Sequence, residues 1–129
     1  MPGPLILVVE DNALNAKLLR DVLSVRGYEV AETTTAEEGI ELARSRQPAL
    51  ILMDIQLPGM DGISALRVLQ QDEATRNIPV IAVTASAMPM ERKEILAAGF
   101  SGYQAKPLSV KDLTAEMARF VDPPTGGAA

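Results

Sequence analysis

Residues 49–62 of the chain read ALILMDIQLPGMDG, and this stretch decides the fold. Its first five residues are apolar without a break, and the run ends abruptly on Asp54. A continuous apolar run of this length is typical of a strand buried on both faces of a parallel sheet. Two turn-forming dipeptides, Pro58-Gly59 and Asp61-Gly62, then indicate a loop. Asp54 is therefore predicted at the carboxyl end of a buried strand, where open α/β sheets bind their ligands.

The rest of the chain repeats one unit, a short strand followed by an amphipathic helix. Strands are predicted at residues 5–9, 28–33, 49–53, 79–83 and 102–105, each followed by a helix. The face predicted for the first helix consists of Leu14, Leu18, Val22 and Val25, widened by Leu19 and Leu23. Strands that alternate with helices predict an α/β fold with a parallel sheet and helices on both faces. Periodicity alone does not give the order of the strands.

Composition limits the functions that the chain can have. Its 129 residues are enough for one domain with a single core. Seventeen acidic residues against twelve basic ones give a net charge of −5, which argues against direct binding to nucleic acid. The chain has no cysteine and no histidine, so disulfides, thiol chemistry and a histidine base within this chain are excluded.

Hydropathy predicts a protein outside the membrane. The longest apolar run is far shorter than a membrane-spanning segment. The first four residues, MPGP, lack the charged start and apolar stretch of a signal peptide. We therefore expect a soluble, cytoplasmic protein.

Polar residues follow four of the predicted strands at the point where each strand ends. Glu10 and Asp11 follow the first strand, Asp54 the third, Thr84 the fourth and Lys106 the fifth. In a parallel sheet these strand ends lie along the same edge. We therefore expect three carboxylates, a hydroxyl and an ammonium group to converge there.

This set of groups suits a metal ion and phosphoryl transfer. Three carboxylates in one place repel each other unless a positive charge joins them, and Lys106 offsets only one charge. The remaining oxygen-rich set suits Mg²⁺, which binds carboxylates, waters and phosphate oxygens. A carboxylate nucleophile, a metal ion, a lysine and a hydroxyl donor are together the parts that phosphoryl transfer requires.

Each of these residues also has a simpler interpretation when it is considered alone. Asp54 could hydrogen-bond to its own backbone in a loop. Asp11 and Thr84 could cap the elements that follow them. A lysine such as Lys106 is a surface residue in most proteins. The common position of these residues after four strands is what favours a shared site.

The motifs at these strand ends resemble those of the response-regulator receiver domains of two-component signalling. The similarity is carried by Glu10-Asp11-Asn12, residues 53–58 (MDIQLP), Thr84-Ala85 and Lys106-Pro107, and it extends over residues 5–121. It implies a flavodoxin-like sheet of five parallel strands in the order 2-1-3-4-5. It also implies a receiver domain over residues 1–122, with residues 123–129 as a disordered tail or the stub of a linker.

The resemblance also implies the role of each site residue. Asp54 is the expected phosphoacceptor, and Thr84 and Lys106 are expected to contact the phosphoryl group. The expected Mg²⁺ ligands are Asp11, Asp54 and the backbone carbonyl of Gln56, with Glu10 acting through water.

A switch function is implied by the same family. Thr84 and Tyr103 are the expected switch residues, which would report phosphorylation to a partner. None of the chemical positions is substituted, but Gln104 departs from the family pattern because the residue after the aromatic one is usually apolar.

The expected function is therefore a phosphorylation-dependent signalling switch that catalyses only its own phosphoryl transfer and dephosphorylation. A sensor histidine kinase or a phosphotransfer protein would donate the phosphoryl group. A downstream protein would bind the face formed by the fourth helix, fifth strand and fifth helix. A start at Met1 and an end at Ala129 favour a free-standing regulator, and a receiver excised from a hybrid sensor kinase is the alternative.

Two functions of other classes are weaker alternatives. An aspartyl-phosphate hydrolase usually carries a second aspartate two residues after its nucleophile as the general acid. Here that position is Gln56, which cannot donate a proton to a leaving alkoxide. A Rossmann nucleotide binder needs a glycine-rich loop after the first strand, where this chain has Glu10-Asp11-Asn12.

Overall fold

The computed structural model describes residues 3–55, 57, 59–84, 89–105 and 109–121, with the backbone alone for residues 89–92. Within these residues, five strands alternate with five helices, in the order β1 Leu5–Val9, α1 Ala13–Val25, β2 Glu29–Thr33, α2 Ala36–Arg46, β3 Leu50–Asp54, α3 Gly62–Gln71, β4 Val80–Thr84, α4 Pro89–Ala98, β5 Gly102–Ala105 and α5 Val110–Met117. This pattern confirms the predicted α/β class.

The five strands form one parallel sheet in the order β2-β1-β3-β4-β5. This is the order implied by the family resemblance. The central strands β1, β3 and β4 are the three continuous apolar runs, and β3 is buried along its whole length. Because the strands are parallel, the carboxyl ends of all five lie on one edge of the sheet.

Helices cover both faces of the sheet, because side chains alternate between the faces along each strand. One core cluster contains residues of α2, α3 and α4, and the other contains residues of α1 and α5. In β3, for example, Ile51 and Met53 belong to the first cluster and Leu50 and Leu52 to the second. None of the helices within the described ranges is long and apolar enough to cross a membrane.

Local sequence signals fix the ends of several helices. The amide of Glu38 donates to the Thr35 hydroxyl over 3.2 Å, so Thr35 caps α2. Ser109 caps α5 in the same way, through a 3.3 Å bond from the amide of Asp112. Gly99 ends α4 with a φ of 114°, a left-handed conformation that glycine adopts without strain.

The predicted buried face of α1 is wrong in part: its widening residues Leu19 and Leu23 are buried, but three of its four central residues are exposed. Leu14, Leu18 and Val25 are 76%, 57% and 82% exposed. The helix instead buries the neighbouring face, which is formed by Ala16, Leu19 and Leu23. Apolar residues surround more than half of this helix, so periodicity cannot choose between two overlapping faces. The face with small Ala16 packs on the sheet, and α1 is left with an exposed apolar stripe of Leu14, Leu18 and Val25.

Candidate functional site

Asp54 is the last residue of β3 and lies almost completely inside the protein, with 4% of its surface exposed. It is therefore part of the buried strand, and it pairs in register with Val83 of β4. The next residue, Ile55, continues this pairing through its amide, which donates to the carbonyl of Val83 over 3.2 Å. The backbone on both sides of the Asp54 carboxylate is thus held by the sheet.

Glu10 and Asp11 follow β1, the neighbour of β3 in the sheet. The amide of Glu10 donates to the Thr33 carbonyl over 3.0 Å, which extends the β1–β2 pairing by one residue. Glu10 is 2% exposed, and its carboxylate accepts a 3.3 Å hydrogen bond from the amide of Asn12. Asp11 lies at the surface.

The residue that caps α1 is Asn12 and not Asp11. The side-chain oxygen of Asn12 accepts a 3.0 Å hydrogen bond from the amide of Asn15. The simpler interpretation of Asp11 as a helix cap is therefore wrong. The Asp11 carboxylate instead lies near two other acidic side chains, those of Glu10 and Asp54.

The carboxylates of Glu10, Asp11 and Asp54 meet at the edge of the sheet, where one oxygen of each lies within 4.8 Å of the others. Oxygens on opposite sides of an octahedral Mg²⁺ ion are about 4 Å apart, so the three groups can share such an ion with small side-chain adjustments. Two of the three acids are buried, and hard carboxylate oxygens are the ligands that Mg²⁺ prefers. The donor set fits a divalent cation.

Thr84 lies beside this cluster at the end of β4, one residue beyond Val83, the register partner of Asp54. It is completely buried. The helix α4 begins five residues later, at Pro89, so Thr84 does not cap that helix.

Tyr103 lies on the edge strand β5, beside Ala82 of β4. It is partly buried and packs against the core cluster that also contains residues of α2, α3 and α4. The two remaining predicted site residues, Gln56 and Lys106, lie outside the described residues. Their roles stay predictions.

Sequence reasoning missed the role of the Asp61-Gly62 pair, which begins α3. Asp61 is its cap, accepting a 2.8 Å hydrogen bond from the amide of Ser64. Gly62 is the first residue of the helix, and its amide donates to the carbonyl of Ile55 over 3.2 Å. The predicted loop therefore returns to the end of β3 and closes beside the phosphoacceptor candidate. An aspartate before a glycine is both a turn signal and a helix-start signal, so the pattern was ambiguous.

Comparison with known proteins places the chain among signalling proteins. A family model for the response regulator receiver domain matches residues 6–118. The polar-differentiation response regulator DivK of Brucella ovis is 48% identical over 105 residues, which are 81% of this chain and 85% of that protein.

Solved structures show the same likeness. The receiver domain of the sensor histidine kinase PA1611 from Pseudomonas aeruginosa is 36% identical, with a TM-score of 0.85 over 92% of this chain and 97% of that one. Its crystal structure has a magnesium ion in the active-site cleft. A sensor protein from Polaromonas is 30% identical, with a TM-score of 0.85 over 94% of this chain and 98% of that one.

Repulsion among the three acids predicts that removing one of them stabilises the metal-free protein. We expect Asp11→Asn to raise the free energy of unfolding in chelator by about 1 kcal/mol. Added Mg²⁺ should stabilise the wild type by binding to the folded state and should have little effect on the variant. Denaturant unfolding with and without Mg²⁺ measures both effects.

Glu41→Gln removes one charge from an exposed position on α2 and is the control. It should leave the stabilisation by Mg²⁺ unchanged. If Asp11→Asn were less stable than the wild type in chelator and still stabilised by Mg²⁺, the three carboxylates would not form a shared cation site.

Proposed function

The chain belongs to the response regulator receiver domain family, and on that basis we propose that it is a signalling switch whose phosphoacceptor is Asp54. Receiver domains are signalling proteins and not classical enzymes. The observation that carries the assignment is the meeting of buried Asp54 with Glu10 and Asp11 at the carboxyl edge of the sheet. A nucleophilic carboxylate beside two further acids is the arrangement that metal-assisted phosphoryl transfer requires.

The metal-binding part of the proposal uses the three acids and one backbone group. Asp11, Asp54 and the carbonyl of Gln56 would hold Mg²⁺ directly, and Glu10 would hold it through water. When bound, Mg²⁺ neutralises charge on the phosphoryl oxygens. The 3.3 Å bond from the amide of Asn12 orients the Glu10 carboxylate, so the chain itself presents this acid to the site.

In the proposed reaction, a carboxylate oxygen of Asp54 attacks the phosphorus of a phosphohistidine on the donor protein. The new oxygen–phosphorus bond forms as the nitrogen–phosphorus bond breaks, and the donor imidazole leaves with the bonding electron pair. Thr84 would donate a hydrogen bond to a phosphoryl oxygen, and Lys106 would contact another. Water later cleaves the acyl phosphate, so the chain catalyses only its own phosphorylation and dephosphorylation.

The exposed apolar stripe of α1 supports a docking surface for the phosphodonor. The helix starts directly after Asp11 and Asn12, so Leu14 lies at the end nearest the acidic cluster. A sensor histidine kinase or phosphotransfer protein must bring its histidine to Asp54, and it therefore covers the surface around that residue. Three large apolar side chains exposed along one helix face suit an apolar helix of that partner.

The output side of the proposed switch uses Thr84 and Tyr103. A phosphoryl group would draw the Thr84 hydroxyl toward the edge of the sheet, and Tyr103 would turn inward in response. That rotation would change the face formed by α4, β5 and α5, where Leu96 and Val110 are exposed. A downstream protein would distinguish the two states by this face, and phosphorylation need only shift the population between them.

Phosphorylation of the chain tests the proposed function directly. Acetyl phosphate with Mg²⁺ should add one phosphoryl group to the wild type and none to Asp54→Asn, as measured by intact-mass spectrometry. Asp112→Asn changes an exposed aspartate of α5 and should be modified like the wild type. An adduct of undiminished yield on Asp54→Asn would show that Asp54 is not the phosphoacceptor.

Replacing an exposed leucine of α1 tests the docking surface. Leu18→Gln should slow phosphorylation by a phosphohistidine protein that is active on the wild type by about tenfold, equivalent to about 1.4 kcal/mol of docking free energy. The rate with acetyl phosphate should not change, because a small donor does not touch α1. Leu96→Gln, the same change on α4, is the matched control and should be phosphorylated by the phosphohistidine protein at the rate of the wild type. If Leu18→Gln slowed phosphorylation equally with the phosphohistidine protein and with acetyl phosphate, the substitution would act on the phosphorylation site and not on docking of the donor protein.

Tyrosine fluorescence tests the switch. The chain has no tryptophan and two tyrosines, so Tyr28→Phe leaves Tyr103 as the only strong emitter. Quenching by acrylamide should decrease when beryllofluoride and Mg²⁺ mimic the phosphorylated state, because Tyr103 becomes less accessible. Asp54→Asn in the same background should show no decrease. Unchanged quenching with confirmed beryllofluoride binding would mean that Tyr103 does not report the phosphoryl group.

A further inference from the structure

Gly62 lies against the backbone of the proposed phosphoacceptor. A Cβ atom added at this position would be 2.7 Å from the Cα of Ile55 and 3.0 Å from the carbonyl oxygen of Asp54. Both neighbours are backbone atoms, which cannot turn aside as the end of a flexible side chain can. Any side chain at residue 62 must therefore displace either the start of α3 or the backbone of residues 54–55.

The requirement for glycine here is one of space. Gly59, in the same connection, has a φ of 78°, which side chains rarely allow. Gly62 is buried and begins a regular helix. Its backbone conformation alone therefore does not exclude a side chain. The close approach of two backbone segments is what excludes a side chain.

The backbone at residues 54–55 is held from two sides. On one side, the amide of Ile55 donates to the carbonyl of Val83 in β4 over 3.2 Å. On the other side, the carbonyl of Ile55 accepts the Gly62 amide, also over 3.2 Å. The second contact forms only because Gly62 lets the first turn of α3 reach the strand end.

We propose that Gly62 is a positioning residue for Asp54, because it lets the first turn of α3 fix the backbone that sets the direction of the Asp54 carboxylate toward Glu10 and Asp11. The inference rests on the proposed function. The three carboxylates share a narrow space, and displacements of a few tenths of an ångström at Asp54 change how well they share a cation.

The direct test compares Gly62→Ala with Leu69→Ala. Leu69 is a buried residue two turns further along α3, so its truncation weakens the same helix without touching Asp54. We expect the Mg²⁺ dissociation constant, measured by calorimetry on the folded protein, to rise at least about fivefold in Gly62→Ala. In Leu69→Ala it should stay within about twofold of the wild type, although the variant is less stable. An unchanged dissociation constant in Gly62→Ala overturns the proposal.

A second pair of variants gives the answer if Gly62→Ala does not fold. Asp61→Asn keeps the cap of α3 and removes a charge, whereas Asp61→Ala removes both the cap and the charge. The difference between the Mg²⁺ dissociation constants of the two variants therefore isolates the effect of anchoring the first turn of α3. Weaker Mg²⁺ binding in Asp61→Ala than in Asp61→Asn supports the proposal, and equal binding overturns it.

The wild type separates this inference from the function on which it rests. A wild-type protein that neither binds Mg²⁺ nor accepts a phosphoryl group would overturn the proposed function and the inference together. A wild type that does both, with Mg²⁺ affinity unaffected by Gly62→Ala, would overturn the positioning role alone.

Discussion

The site depends on one electrostatic constraint, which is that the fold holds three carboxylates within 4.8 Å of one another. Two like charges about 4 Å apart repel by about 1 kcal/mol in water and about 4 kcal/mol where the surroundings are partly dry. Here Glu10 and Asp54 are buried and Asp11 is at the surface. Because the parallel strands β1 and β3 are neighbours, the sheet brings the acidic side chains at their carboxyl ends together despite the repulsion between them.

The same constraint connects stability with signalling. A cation that binds only the folded state offsets the repulsion and stabilises the protein. A phosphoryl group on Asp54 would change the charge balance again, next to buried Thr84. β4 and β5 are paired, with Thr84 beside Ala105, so in the proposed switch a change at Thr84 would act on the strand that carries Tyr103. The proposed switch therefore requires no contact pathway beyond one pair of strands.

The sequence predicted the features that depend on local pattern. Continuous apolar runs located β1, β3 and β4, and the acids at the ends of β1 and β3 were placed correctly at one edge. Pattern could not choose the buried face of α1, because leucines such as Leu18 and Leu19 lie on both sides of it. The strand order came from the family resemblance alone. The close packing of Gly62 was missed because it is made with the backbone of Ile55, seven residues earlier in the chain, a contact that no local signal records.

A crystal structure of the protein with Mg²⁺ and beryllofluoride tests the central claim most directly, because it locates both the metal and the phosphoryl mimic. We expect beryllofluoride on the carboxylate of Asp54, Mg²⁺ ligated by Asp11 and Asp54, and Glu10 reaching the metal through water. Beryllofluoride on another residue, or Mg²⁺ bound away from these three acids, would contradict the account.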